Sequence, residues 1–278
     1  MNYKFLRFPD FKKKALTLSY DDGMIYDKKL VEILNKYGLK CTFNLNSGEL
    51  APQADDTRRR LTRQEAIELY SGGIHEVAVH GLKHLQLDAV PDEIAVNDVL
   101  EDRKNLERMF GKIIKGMAYA YGTFDDGAVD ILRRCGIKYA RTVISTEKFD
   151  IPSDWLRLPA TCHHSNPRLG ELTERFLCDE KPRNAWWNAP KLFYLWGHSY
   201  EFEDNGNWNV IENFAAKTGG RDDVWYATNG EIYDYIRAFD GLEYSVDGSA
   251  VYNPSCLGVW ICLFGKDVYI PAGRTVSV

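Results

Sequence analysis

The chain has 278 residues, with 35 Lys+Arg against 40 Asp+Glu and a formal net charge of −5. Hydrophobic residues make up 45% and charged residues 27%, which excludes disordered, collagenous and fibrous classes and leaves ample material for a large core. The mildly acidic balance argues against nucleic acid as a partner, and no apolar run is long enough for a signal-peptide core or a membrane span, so the expectation is a soluble, cytoplasmic protein that is not exported.

Strand and helix patterns alternate from early in the chain. Ala15 to Tyr20 reads as a strand, and Asp27 to Tyr37 places Leu30, Val31, Leu34 and Tyr37 on one helical face. Lys40 to Asn46 is a second strand. Thr62 and Glu65 form a capping-box pattern that opens a helix ending near Gly72 and Gly73. His75 to His80 is the third strand, Asp92 to Phe110 a long amphipathic helix, and Ile114 to Ala120 the fourth strand. A helix over Asp125 to Cys135 and a strand over Ile137 to Val143 follow.

The stretch from Ser145 to Asn166 is less regular, with one strand candidate at Leu156 to Ala160. The alternation resumes with a helix over Leu169 to Leu177, a strand over Lys191 to Gly197 and a helix over Asn209 to Lys217. Val224 to Thr228 is the last strand of this series and Glu231 to Phe239 its helix. Seven or eight strands, most followed by a helix, imply an α/β fold with a parallel (β/α) barrel over residues 1–240. An open doubly wound sheet competes, but no G-x-G-x-x-G follows the first strand. From residue 241 to 278 the pattern changes to short alternating runs, read as a small antiparallel β extension packed on the barrel. Cys41, Cys135, Cys162, Cys178, Cys256 and Cys262 form no C-x-x-C pair and read as buried thiols.

In a parallel barrel, function collects at the C-terminal ends of the strands. The first strand ends in Asp21-Asp22-Gly23, which is either turn chemistry or a pair of carboxylates that a cation keeps apart. The third ends in His80, with His84 four residues on, a spacing of one helical turn that suits chelation of a divalent metal. One carboxylate and two imidazoles form the ligand set of a hydrolytic metal. His198, after the penultimate strand, is either a core histidine or a proton donor on the same face. Cys162-His163-His164 is a surface loop or a pocket lining, and Asn44 and Asn46 are substrate-binding candidates.

These segments, in this order, resemble the NodB-type polysaccharide deacetylases, the fourth carbohydrate esterase family, over roughly Ala15 to Phe239. Leu18-Ser19-Tyr20-Asp21-Asp22-Gly23 resembles the family's T-F-D-D-G motif, His80 to His84 its H-[ST]-x-x-H motif with Gly81 in place of the hydroxyl residue, and Leu195-Trp196-Gly197-His198 its last motif. The resemblance implies a distorted (β/α) barrel, with Asp21 as catalytic base, Asp22, His80 and His84 as ligands of one divalent metal, and His198 as general acid. Zinc is the first candidate, with cobalt, nickel and iron open.

The third motif departs from the family's R-x-P-Y and reads Ala118-Tyr119-Ala120-Tyr121-Gly122. The backbone N–H of Tyr121 still suits an oxyanion hole, and Arg141 on the next strand is the expected substitute for the missing arginine. Asp154-Trp155 resembles the family's aspartate–tryptophan motif. Trp155, Trp186, Trp187, Trp196 and Trp208 are candidate stacking faces for a sugar, with ordinary core packing the competing reading, and His164 and Asn44 complete the substrate-binding set.

The implied function is metal-dependent removal of acetyl groups from an acetylated sugar, an oligo- or polysaccharide or a small N-acyl substrate, with no nucleic acid or membrane partner. The alternatives are a C–N hydrolase of a cyclic amide or ureide on the same scaffold, and a carbohydrate-binding protein that has lost catalysis.

Overall fold

The computed structural model describes residues 3–54, 57, 59–178 and 189–278. Its centre is a nine-stranded parallel sheet: β2 (Lys14–Asp21), β3 (Cys41–Leu45), β4 (Glu76–Val79), β5 (Gly116–Ala118), β6 (Tyr139–Ser145), β7 (Leu158–Ala160), β8 (Cys162–His163), β9 (Lys191–Gly197) and β10 (Val224–Tyr226). It is preceded by the short β1 (Leu6–Arg7). All eight residues of β2 are buried, as expected of a strand covered on both faces. β2 pairs with β9 from Lys14↔Lys191 to Tyr20↔Gly197 along one edge. The other edge is shared by β3, from Leu18 to Asp21, and β10, from Lys14 to Leu16.

The ring closes in an unusual way. β7 pairs with β6, β8 pairs with β9, and only Thr161 separates β7 from β8. The irregular stretch that suggests one strand in the sequence thus supplies two short ones and bridges the sheet's ends. The parallel (β/α) barrel expected from the alternation is what forms.

Among the described residues, eight helices surround it: α1 (Asp27–Lys36), α2 (Arg63–Tyr70), α3 (Asp92–Phe110), α4 (Asp126–Arg134), α5 (Leu169–Leu177), α6 (Ser199–Asp204), α7 (Asn209–Thr218) and α8 (Asn229–Asp240). In α1, Leu30, Val31, Ile33 and Leu34 are buried against β2 and β3 in the main core, each worth roughly 1.5–3 kcal/mol of burial. The Thr62–Glu65 capping box forms at the start of α2, where Thr62 Oγ1 accepts from the Glu65 N–H and the Glu65 carboxylate accepts from the Thr62 N–H. The six-residue α6 has no counterpart in the sequence reading.

Five more strands follow α8: β11 (Glu243–Tyr244), β12 (Ala250–Tyr252), β13 (Val259–Leu263), β14 (Lys266–Ile270) and β15 (Thr275–Ser277). They form two antiparallel three-stranded sheets, β1-β13-β14 and β11-β12-β15. The first includes β1, with Leu6 opposite Ile261. Leu6, Phe8, Val259 and Ile261 share an apolar cluster with Ile232 and Tyr235 of α8. Tyr235 binds both ends of the chain, its hydroxyl donating to the Arg7 carbonyl (2.6 Å) and accepting from the Trp260 N–H (3.0 Å).

All six cysteines are free; four are buried as expected, but Cys178 and Cys256 are exposed. Among the described residues no helix is long and apolar enough to cross a membrane.

Candidate metal and active site

Asp21 ends β2 and Asp22 begins the turn beyond it with φ +84, a left-handed conformation that L-residues adopt at a cost. The Asp22 N–H is held by the Asn44 carbonyl (2.9 Å). This turn sends the two adjacent carboxylates to different partners, Asp21 to an arginine and Asp22 to two histidines.

His80 follows β4 and is almost fully buried. Its Nδ1 lies 2.9 Å from the Ala118 carbonyl, which only accepts, so Nδ1 carries the proton and Nε2 is left bare. The His80 N–H donates to Asp102 on α3 (3.1 Å), and Asn46 Nδ2 donates to the carbonyls of His80 (2.7 Å) and Gly81 (2.8 Å). The expected helical turn between His80 and His84 is absent. Left-handed backbone at Gly81 (φ +86) and His84 (φ +53) brings the rings together instead, with Nε2 atoms 3.2 Å apart. Gly81 is required twice over, since a Cβ there would also stand 2.5 Å from the Asp98 carboxylate.

The Nε2 atoms of His80 and His84 lie 3.8 and 3.7 Å from Asp22 Oδ1, and the three ligand atoms fall within 4.8 Å of one another. Asp22 Oδ1 is buried without a hydrogen-bond partner. His84 is pushed down to about 4, by burial first and by the neighbouring His80 second, so it is neutral and able to ligate at neutral pH. One carboxylate with an unsatisfied oxygen and two imidazoles fit a divalent metal. Arg60, which the sequence reading did not single out, donates to the Asp22 carbonyl and sits 3.3 Å from Asp22 Oδ1.

Asp21 faces the barrel interior. Its Oδ2 accepts from the Arg141 guanidinium, and Oδ1 accepts from Asn44 Nδ2 at 2.7 Å. The Nε2 atoms of His80 and His198 both lie 3.8 Å from Oδ2. Burial alone would raise the Asp21 pKa, but Arg141, His80, His198 and the Asn44 bond together hold it below the ordinary carboxylate range. Arg141 is itself buried, with its guanidinium 4.3 Å over the Trp196 ring. Tyr121 also has left-handed backbone (φ +56), and its ring packs edge-on against His84 with centroids 4.4 Å apart.

His198 stands before α6 with Nε2 toward Asp21 and Nδ1 3.4 Å from Glu201. Burial lowers its pKa, but Glu201 first and then Asp21 and Asp22 outweigh this, and the net shift is upward. Glu201 is a second residue the sequence reading missed, although His198-Ser199-Tyr200-Glu201 has the spacing of a helix cap and its third helical residue.

Several substrate candidates have other jobs. Trp155 lies at the start of β7, at the opposite strand ends from Asp21, edge-on to Tyr233 of α8 at 5.3 Å. Asp154 caps the short turn there and pairs with Arg157 (2.7 Å), so this dipeptide does not reach the site. Trp196 is 8% exposed and underlies Arg141. His164 is buried at 3%, stacked on Phe202 with centroids 4.1 Å apart. Asn44 has no exposed surface and bonds Ser19 and Asp21, and Asn46 supports the His80 loop, so both are structural supports of the site. Trp208 is in the core, and Trp186 and Trp187 lie outside the described residues.

Residues 9–140 match the family model described as polysaccharide deacetylase. The poly-beta-1,6-N-acetyl-D-glucosamine N-deacetylase of Staphylococcus aureus (strain MSSA476) is 25% identical over 139 residues, 46% of this chain and 48% of that protein. The enzyme of the same name from Staphylococcus epidermidis is 24% identical over 170 residues, 56% of this chain and 58% of that one. The chain thus spans about half the length of the curated relatives it matches. A crystal structure from Mycobacterium smegmatis, provisionally named a polysaccharide deacetylase, superposes with a TM-score of 0.60 at 17% identity, over 85% of this chain and 94% of the other, and shows the same fold.

Proposed function

We propose, for a chain that carries the polysaccharide deacetylase pattern over residues 9–140, that it hydrolyses acetyl groups from an acetylated sugar with a divalent metal held by Asp22, His80 and His84. The observation that carries this reading is the position of Asp21 Oδ2, 3.8 Å from Nε2 of the ligand His80 and 3.8 Å from Nε2 of His198. A base stands between a ligand set and an acid.

A divalent cation bound there, zinc being the first candidate, polarises a carbonyl and acidifies a water. Asp21, kept ionised by Arg141 and steered by Asn44, takes a proton from the attacking water. The Tyr121 N–H offers a donor to the developing oxyanion, a role supported by the contact of its ring with the His84 ring. His198, biased toward its charged form, returns a proton to the leaving nitrogen or oxygen. Arg141 supplies the positive charge that the third motif lacks, and this removes the main ground for reading the scaffold as a cyclic ureide hydrolase. The names of the staphylococcal relatives favour an N-acetylglucosamine polymer or oligomer as the substrate class.

The test is metal analysis with acetate release from β-1,6- and β-1,4-linked N-acetylglucosamine oligomers. Asp22→Asn is expected to lose metal and turnover together, and Asp21→Asn to lose turnover with metal retained. Failure of the native protein to take up a divalent metal, or activity indifferent to chelation, would sink the proposal.

A further inference from the structure

We propose that Glu201 is the positioning residue of the acid histidine: one carboxylate gathers three imidazoles and thereby fixes both the backbone and the ring of His198. The proposal rests on the reading of His198 as proton donor.

Glu201 is the third residue of α6 and reaches back to accept the His198 N–H at 3.3 Å, which ties the residue before the helix to its first turn. The same oxygen, Oε2, lies 3.1 Å from Nε2 of His163, 3.1 Å from Nε2 of His164 and 3.4 Å from Nδ1 of His198. His163 Nδ1 is engaged by Ser165, 2.7 Å from its Oγ and 3.2 Å from its backbone N, which leaves Nε2 as the ring atom facing Glu201. His164 Nδ1 is buried against Gly197 without a hydrogen-bond partner, and its Nε2 faces Glu201.

With two ring nitrogens 3.1 Å from it, on rings packed against each other, the carboxylate has its place set before His198 engages it. His198 then turns Nδ1–H toward Glu201 and presents Nε2 to Asp21 and the reacting groups. His163, His198 and Glu201 also have the spacing of a cation site.

The test uses the full chain labelled with 15N-histidine and stripped of metal, so that the first readout does not depend on turnover. In the native protein, long-range 15N–1H NMR is expected to show neutral His198 with its proton on Nδ1. In Glu201→Gln that preference is lost and His198 titrates lower by about one pH unit. Assayed with metal, Glu201→Gln is expected to lose about tenfold or more in kcat with KM kept, and the alkaline limb of its pH profile moves to lower pH. Glu201→Asp, which keeps the charge and shortens the reach, falls between the two and serves if Glu201→Gln does not fold. Unchanged His198 tautomer and titration in these variants overturn the proposal, as does a second bound cation that Glu201→Gln releases. A shifted His198 with unchanged turnover upholds the positioning and removes the acid role from His198.

Discussion

The guanidinium of Arg141 closes on the carboxylate of Asp21 across the barrel interior, from a strand that does not pair with Asp21's own. Both side chains are at least 98% buried. Removing one partner of such a pair strands the other charge, so Arg141→Met is expected to cost about 3–5 kcal/mol in urea unfolding and to lose turnover. Asp21→Asn combined with Arg141→Met should recover a large part of the stability and none of the activity. A double variant as unstable as Arg141→Met alone would show that the pair is not coupled.

Under the proposed reading, metal affinity is expected to depend on groups behind the ligands. Asp102 accepts the His80 N–H and also the Ser47 N–H (2.7 Å), which pins the start of the His80 loop to α3. Asp102→Ala is expected to weaken divalent metal binding about 10- to 100-fold in competition with a chelator, with Asp22, His80 and His84 intact.

The part assigned to Tyr121 belongs to its backbone. Its side chain is 64% exposed and its φ is +56, a conformation glycine adopts without strain. Tyr121→Gly is therefore expected to keep kcat within a few fold, whereas Tyr121→Pro, lacking the N–H and fixed at negative φ, abolishes turnover. Comparable rates in the two variants would remove this peptide from the oxyanion role.

Gly197 gives its missing side chain's space to His164. An alanine Cβ would meet His164 Nδ1 at 2.0 Å, so Gly197→Ala is expected to cost about 1–3 kcal/mol through overpacking. Thermal unfolding reads the loss, and adding His164→Ala should return part of it by clearing the collision.

Asp27, fully buried in α1, accepts from the Tyr70 hydroxyl at 2.6 Å and is pushed up to about 7, chiefly by burial. Its folded pKa lies above the unfolded value of about 4, so the protonated carboxyl stabilises the fold at low pH and that stability fades as pH rises through the folded pKa. Over the window from about pH 4 to 7, the native protein is expected to lose stability relative to Asp27→Asn, by up to about 1.4 kcal/mol per pH unit. Parallel pH-dependent unfolding curves for the two proteins would contradict this.

The barrel was legible because β9 is a nearly continuous apolar run, β2 places Ala15, Leu16, Leu18 and Tyr20 in a short strand, and the helices carry one buried face each. That Asp22, His80 and His84 come together, and that Arg141 meets Asp21, was legible because strand ends expose few residues with such chemistry. The helical turn expected between His80 and His84 was not there, since Gly81 and His84 take left-handed backbone that residue spacing does not encode. Tryptophans misled because an indole has the same signature in a core as in a sugar site, and Trp196 is occupied by Arg141. Glu201 was missed because its function depends on the neighbouring loop of β8, which places His163 and His164 around it from a separate part of the chain.

The pairing of Leu6 with Ile261 has a consequence for biosynthesis. Leu6 waits for a partner 255 residues further on, and Lys14 for one 177 residues further on. Contacts so distant in sequence fold slowly and leave Leu6 and Phe8 open to wrong partners meanwhile, so the nascent chain is expected to lean on holding chaperones at the ribosome until its last strands arrive.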